Sequence, residues 1–248
     1  MKRRTPVLIL AVSCLIFLFS GCAGFMMEVD RTLDDLLSQS ESLDGTDEQG
    51  PQESQDDQRD TVAYQLGDQG PAGGWVFYDK GVYSDGWRYL EMAPYGWYGG
   101  ARDPSVQWGA KGYEVVPAVT ETAAGSGAEN TVRIVEFHDK LIEQYPERGI
   151  YGFNPQAYGE TNDGSVAALL CEFATINGYE DWYLPAKDEL TLMRKLQKEY
   201  NIGDIEMAKY WSSTEADADK ALAINFYVNV ITPTSKDSSY QIRPVRMF

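Results

Sequence analysis

The stretch GYEDWYLPAKDELTLMRKL, residues 178–196, decides how the chain folds. The stretch contains tyrosine, tryptophan and a proline. It also contains four acids, Glu180, Asp181, Asp188 and Glu189. A segment this acidic is either a catalytic or metal-binding cluster of carboxylates or the sequence that turns a loop into a helix. The two interpretations predict different proteins, an enzyme or a non-enzymatic domain.

The residues from Pro185 onwards predict the start of a helix. Proline disfavours a helical conformation in the residue before it and suits the first turn of a helix. Ala186 takes the N-cap position, and Glu189, three residues later, can reach back to the free N–H of the cap. An acid in the first turn also stabilises the helix dipole by roughly 0.3–1 kcal/mol. We therefore interpret Trp182, Pro185 and Glu189 as a structural motif.

The segments on either side predict an α+β fold. GGWVFYD and WRYLEMAP, separated by the turn signal SDG, are typical of a hairpin. ENTVRIVEFHDKLIEQY, with Asn130 as a possible N-cap, SVAALLCEFATI and residues 187–200 have helical spacing. KYWSST, ALAINFYVNV and YQIRPVRMF are strand-like. Strands, then two to three helices, then strands indicate a mainly antiparallel sheet with helices.

The first residues are typical of a bacterial lipoprotein signal. A basic start (Lys2, Arg3, Arg4) precedes an apolar run of about 13 residues, too short to span a bilayer as a helix. The run ends in FSGC, which predicts a signal peptide over residues 1–21 and lipidation of Cys22. An ordinary signal peptide, or an uncleaved anchor, with a chance cysteine is the alternative.

Residues 22–60 predict a lipid-anchored N-terminus and a flexible acidic tether. Apolar residues recur at three- and four-residue steps over residues 25–43, as in a short amphipathic helix near the membrane or a weakly self-associating one. DGTDEQGPQESQDDQRD then contains no apolar residue and cannot bury enough surface to offset its ordering entropy. Residues 61–248 have globular composition and predict one domain.

The charge of the chain excludes several kinds of partner. Without Lys2, Arg3 and Arg4, 18 bases face 38 acids, a formal charge of −20. This balance argues against nucleic acid and against non-specific attraction to anionic lipid or sulfated sugar, while leaving room for local basic patches. After removal of the signal peptide and lipidation of Cys22, only Cys171 stays free, so we expect no internal disulfide.

Seven blocks of the globular part carry a family resemblance. In order, these are GDQGPAGGWVFYDKG, SDGWRYLEMAP, QWG, GAENT, NGYEDWYLPAKDEL, YWSSTE and IRPVRMF. From about residue 67 to the end, the chain resembles a bacterial domain family named for the C-terminal domain of the Legionella collagen-like protein. The collagen repeats of the namesake are absent, and Ala186 replaces the serine usual in the family, a missing cap worth about 1 kcal/mol.

The resemblance implies a C-type-lectin-like fold, related to the formylglycine-generating group. It does not bring the calcium site of lectins, because the Glu-Pro-Asn, Gln-Pro-Asp and Trp-Asn-Asp triplets do not occur. The domain of the namesake is an adhesin for sulfated polysaccharides. A globular part with a formal charge of −10 is poorly suited to that ligand.

The candidate reactive groups favour structural interpretations. Cys171 lies on an apolar helix face without a partner cysteine, as expected of an inert thiol. His138 is the only histidine and also has helical spacing with apolar residues, which argues against multi-histidine metal sites and Ser-His-Asp catalysis. ETNDGS, residues 160–165, lacks the ligand pattern of an EF-hand and is better explained as a turn and cap. A hydrolase with two carboxylates stays open.

The aromatic-rich stretch PYGWYGGARDPSVQWG is the best candidate for ligand binding. Tyr95, Trp97, Tyr98 and Trp108 alternate with glycines, which suits flat apolar faces presented on a loop. The alternative is that these rings fill the core below irregular loops, Trp108 most of all.

We therefore predict a non-enzymatic recognition domain on a lipid-anchored protein of the cell envelope, in the outer membrane. Its expected ligand is a glycan or a host or envelope protein, with no cofactor, no metal and no nucleic acid. A structural or assembly lipoprotein without a soluble ligand is the second hypothesis. An enzyme, supported only by its fold relatives, is the third.

Overall fold

The computed structural model describes residues 63–100, 102–144 and 166–248, and within them the chain folds as an α+β domain. The predicted first hairpin is confirmed: β1 (Trp75–Ser84) pairs antiparallel with β2 (Trp87–Met92). The last strand, β8 (Val245–Met247), pairs with β2 and completes a three-stranded sheet. The chain therefore returns at its end to the hairpin with which the domain begins.

A second, five-stranded sheet has the order β3-β7-β4-β5-β6. Its strands are β3 (Ser105–Gln107), β4 (Lys209–Glu215), β5 (Lys220–Asn225), β6 (Val230–Ser235) and β7 (Ser239–Gln241). All its pairs are antiparallel except β4 with β7. The prediction of one strand over ALAINFYVNV is wrong. Residues 226–229 form a turn that divides the stretch between β5 and β6. YQIRPVRMF likewise divides between the two sheets, as β7 and β8.

Three helices lie among the described residues: α1 (Ser126–Gln144), α2 (Ala167–Glu172) and α3 (Lys187–Tyr200). The predicted bounds of α3 are confirmed. Asn130 is not the N-cap of α1, which begins four residues earlier. Its buried amide instead donates to the Glu121 carbonyl and to Ser213 Oγ. No helix in the described part of the chain is long and apolar enough to cross a membrane.

The extended segment of residues 182–186 passes through the centre of the domain. Tyr183 exchanges both backbone hydrogen bonds with Val245 of β8, and Leu184 N–H donates to Thr131 Oγ1 of α1. Ser213 N–H of β4 donates to the carbonyl of Pro185. This extended segment therefore joins one helix to both sheets, which explains why its residues are buried from Trp182 to Ala186.

Two large clusters form the core. One includes Trp108, Ile134, Leu184, Trp211 and Ile242 and lies between α1, α2 and the five-stranded sheet. The other packs Leu190, Met193 and Leu196 of α3 against strands of both sheets. Residues Asp60–Phe248 make up one compact unit.

Candidate functional site

The loop of residues 94–103, here called the aromatic loop, is closed at its base by the C-terminal segment. Ala93 N–H donates to the carbonyl of Pro244, and Ile242 N–H donates to the carbonyl of Pro104. Both ends of the loop are therefore attached to one short segment between β7 and β8. Turns within the loop use Gly96 and Gly99, whose positive φ angles an L-side chain rarely adopts.

A buried ionic cluster lies directly below the aromatic loop. Arg243 Nε donates to Asp103 Oδ1 at 2.7 Å, and both side chains are buried. Tyr210 Oη donates to Asp103 Oδ2 at 2.7 Å, and Trp97 Nε1 donates to Asp103 Oδ1 at 3.0 Å. The remaining guanidinium donors reach the carbonyls of Ala93, Gly203 and Asp204. We call Trp97, Asp103, Tyr210 and Arg243 the anchor cluster.

The electrostatics of the anchor cluster favour a fixed geometry. Burial, followed by the charge of Asp103, raises the pKa of the Tyr210 hydroxyl above its usual range, so the phenol stays a donor. Asp103 accepts three hydrogen bonds and is neutralised by one arginine, which is how a buried carboxylate is accommodated. The loop is thus held by charge-assisted hydrogen bonds that water does not screen.

The structure separates the four predicted ligand-binding aromatics into three environments. Tyr95 and Tyr98 are 50% and 48% exposed, and both lie on the aromatic loop. Trp97 is half-buried, packs on the core, and meets Tyr98 edge to face with ring centroids 5.3 Å apart. Trp108 is only 1% exposed, and its Nε1–H donates to the Ser212 carbonyl. The prediction that Trp108 binds ligand is therefore wrong. The alternative, that its ring fills the core, is confirmed.

The structural motif of Trp182, Pro185 and Glu189 is built as the sequence predicts. Trp182 is buried, and its Nε1–H donates to the Tyr179 carbonyl. Glu189 Oε2 accepts the Ala186 N–H at 2.5 Å, so one half of a capping box is present. The alanine supplies no acceptor for the other half. Instead, Lys187 N–H donates to Thr214 Oγ1 and Asp188 N–H to the Thr122 carbonyl, so neighbouring segments supply part of the missing cap.

Glu189 also accepts hydrogen bonds from groups outside its own helix. Its Oε1 accepts the N–H of Gly125, just before α1, and the hydroxyl of Tyr183. Burial raises the pKa of Glu189 to about 7, against the lowering effect of these donors. Gly127 permits the contact, because a Cβ there would lie 2.3 Å from Glu189 Oε2. The glycines of AGSGAEN were the available sequence signal for this close approach.

The other acids of the opening stretch have separate roles. Asp181 forms two hydrogen bonds with Arg246, which also reaches Glu91 and lies over the Tyr179 ring. Asp188 pairs with Lys187 at the surface. Asp181, Asp188 and Glu189 therefore do not converge on one cleft. No group of three or more potential metal-ligating side chains occurs in the residues that the structure describes.

His138 and Cys171 are buried and have structural environments. His138 Nε2 accepts the Ala110 N–H, and Nδ1 lies 2.7 Å from the Ile134 carbonyl, to which it donates as the neutral tautomer. Burial lowers the pKa of His138 to about 4. Burial raises the pKa of the Cys171 thiol, which disfavours the nucleophilic thiolate. Residues 160–165 and Cys22 lie outside the described residues.

The arrangement defines an α+β domain with two solvent-exposed tyrosines on a loop that is anchored from below. No protein-family model matches the chain, and no curated protein matches it. The resemblance to the collagen-like protein domain family stays a prediction.

Proposed function

We propose that the protein is a lipid-anchored recognition protein of the cell envelope, whose domain binds a glycan or a protein through the aromatic loop. The observation that carries the proposal is the pair Tyr95 and Tyr98, half-exposed on a loop whose base is fixed by the anchor cluster. Tyrosine offers a large amphipathic face with few rotatable bonds, so a ligand loses little of its binding energy to ordering the side chain. A C-type-lectin-like ancestry, suggested by the sequence blocks, is part of the proposal.

A non-enzymatic role is supported by how the candidate reactive groups are engaged. His138 is held between two backbone groups, and Cys171 is buried. Asp103, Asp181 and Glu215 each pair with a base. These groups have structural partners that a catalytic acid, base or nucleophile would have to give up.

The binding proposal is tested on the chain from residue 22 onwards with Cys22→Ser, so that no lipid is attached. An array of neutral and acidic glycans is compared for this protein, for Tyr98→Ser and for the matched control Tyr227→Ser, an exposed tyrosine elsewhere. We expect binding of at least one glycan class, weakened about tenfold by Tyr98→Ser and unchanged by the control. For a protein ligand, we expect the parent to crosslink to an envelope protein. Tyr98→Ser should abolish this crosslink, and the control Tyr227→Ser should retain it.

Two results would overturn the aromatic loop as a binding site. The first is equal binding by Tyr98→Ser, Tyr95→Ser and the parent protein. The second is the absence of any glycan or protein ligand for the folded parent.

Lipidation is tested separately in cells. The parent chain is expected to incorporate labelled palmitate and to fractionate with membranes, whereas Cys22→Ser loses the label. Cys171→Ser is the matched control, because it removes the other cysteine that we expect in the mature chain. Label retained in Cys22→Ser would contradict the assignment.

A further inference from the structure

The tip of the β5–β6 hairpin exposes apolar side chains over consecutive positions. Tyr227, Val228, Val230 and Ile231 are 75%, 55%, 47% and 40% exposed. Single exposed apolar residues are normal on protein surfaces, but a contiguous group marks an interaction site. We call residues 226–231 the hairpin tip.

The hairpin tip is attached to the face of α3 that carries Arg194, Lys195 and Lys198, here called the basic face of α3. Arg194 Nε donates to the Phe226 carbonyl at 2.7 Å. Ile231 pairs across the sheet with the buried Ile224, which packs in the same core cluster as the apolar residues of α3. The exposed Ile231 is therefore on the face of the sheet that carries the helix.

An open groove of about 480 Å³ runs between the helix and the hairpin tip. Its lining residues are Thr191, Arg194, Lys195, Lys198, Glu199 and Asn229. The lining contains three bases and one acid, Glu199. Glu199 Oε1 lies 4.0 Å from Lys195 Nζ, and both side chains are exposed. Such an exposed pair contributes little and leaves the groove net positive. This concentration of bases stands out in a globular part that holds 26 acids and 16 bases.

The combination of an apolar tip and adjacent bases identifies the class of partner. An anionic lipid surface takes up apolar side chains at the level of the acyl chains and places phosphates at the level of the bases. Lysine and arginine suit this boundary, since their aliphatic stems lie along apolar surface while the charges reach the headgroups. Strand pairing with a second copy is disfavoured, because Pro233 removes a backbone donor from the edge strand β6.

We propose that the hairpin tip and the basic face of α3 form a docking surface for an anionic phospholipid bilayer. The interaction goes beyond the proposed recognition function and does not depend on the aromatic loop. At physiological ionic strength, charges more than about 8 Å from the surface are largely screened, so the local bases outweigh the net negative charge of the domain. The contact would orient the domain on a membrane in addition to any lipid at Cys22.

The test measures vesicle binding without the lipid anchor. The Cys22→Ser chain described above is floated with vesicles of phosphatidylcholine alone, or of equal parts phosphatidylcholine and phosphatidylglycerol, at about 0.15 M salt. We expect binding to the anionic vesicles and much weaker binding to the neutral ones. Tyr227→Ser with Val228→Ser, and Lys195→Gln with Lys198→Gln, should each lower the partition coefficient about tenfold or more.

Matched controls remove the same chemistry elsewhere. Val82→Ser replaces an exposed valine of β1, and Lys140→Gln with Lys220→Gln removes two other exposed charges. These variants should bind vesicles like the parent. All altered side chains are exposed, so circular dichroism should report intact folds.

Three vesicle-binding results would overturn the proposal. They are no binding of the parent to anionic vesicles, equal binding to neutral and anionic vesicles, and losses as large in the controls as in the hairpin variants. A hairpin tip that instead mediates self-association, detected as a dimer in sedimentation that Tyr227→Ser with Val228→Ser dissolves, would also replace the lipid surface as its occupant.

Discussion

The aromatic loop and the hairpin tip both expose large apolar side chains, but they are held in different ways. Below the aromatic loop, Arg243 and Asp103 are buried together and bond to loop residues and to backbone. The hairpin tip is held without an ion pair: Arg194 donates to the carbonyl of Phe226 at a half-buried position, and Phe226 N–H donates to the carbonyl of Ala208. Exposed side chains are therefore not equivalent: those on the loop have a buried ionic anchor, whereas those on the tip are held by the buried ring of Phe226 and by bonds to neutral backbone groups.

The largest expected effect on stability concerns the two arginines that hold these regions, Arg243 and Arg194. Arg243→Met leaves Asp103 charged and buried without its base, so we expect the free energy of unfolding to fall by about 3–5 kcal/mol. Arg194→Met removes a hydrogen bond at a half-buried position, for which about 1 kcal/mol is expected. Urea denaturation of both variants measures the difference. Equal losses would show that the loop and the tip are anchored alike.

The second prediction asks what a buried acid does without a base. Unlike Asp103, Glu189 is buried with only neutral donors, and burial raises its pKa to about 7 from an ordinary 4.5. Because the folded pKa of Glu189 is the higher one, protonation of Glu189 stabilises the folded state. This stabilisation is complete below pH 4.5 and is lost as the pH rises to about 7. From that window we expect a change of about 3 kcal/mol.

The measurement compares the parent with Glu189→Gln across that pH window. Glutamine is permanently neutral, so the variant should gain stability relative to the parent as the pH rises. The control Asp188→Asn removes a neighbouring charge that adds to the raised pKa of Glu189, so its effect should have the same direction and be much smaller. A parent–Gln difference that is flat with pH would show that the three donors already keep Glu189 ionised.

The third prediction concerns the hydrogen bond between the aromatic loop and its anchor. Trp97→Phe keeps an aromatic ring but loses the Nε1–H donor to Asp103, so we expect a loss of about 1 kcal/mol in unfolding free energy. Tyr227→Phe is the matched control at the hairpin tip, where the exposed side chain should contribute nearly nothing to stability. Indistinguishable stabilities for the two variants would mean that the loop does not depend on this bond.

The sequence predicts local features of this domain better than distant contacts. Lys187–Tyr200 is a helix because its apolar spacing, its proline and its first-turn acid all act within a few residues. The division of ALAINFYVNV into two strands was missed because its turn residues 226–229 are mostly apolar and lack the usual glycine or proline signal. The local signals that remain are two asparagines: Asn229 adopts a positive φ, and Asn225 Oδ1 accepts the N–H of Tyr227.

The candidate site shows the same limit. The exposed tyrosines were predicted from the alternation of aromatics and glycines, but the anchor cluster joins Asp103 to Tyr210 and Arg243, more than a hundred residues away. Trp108 illustrates the converse, because its ring lies in the core through contacts with β4 that its neighbours in sequence do not encode. Burial of an aromatic residue is decided by the tertiary fold, which single-sequence spacing does not contain.

Within the aromatic loop, the smallest expected effect on stability belongs to Tyr98. Its side chain is half-exposed and its described ring contact is an edge-to-face one with Trp97, so Tyr98→Ser should lower the unfolding free energy by less than about 1 kcal/mol. Denaturation measured beside ligand binding then separates two roles. A large loss of binding with unchanged stability is expected of a recognition residue, whereas parallel losses in both would mean that Tyr98 supports the loop. The first result would make the loop a platform held from its base by the buried ion pair, so that its exposed tyrosines serve binding rather than the fold.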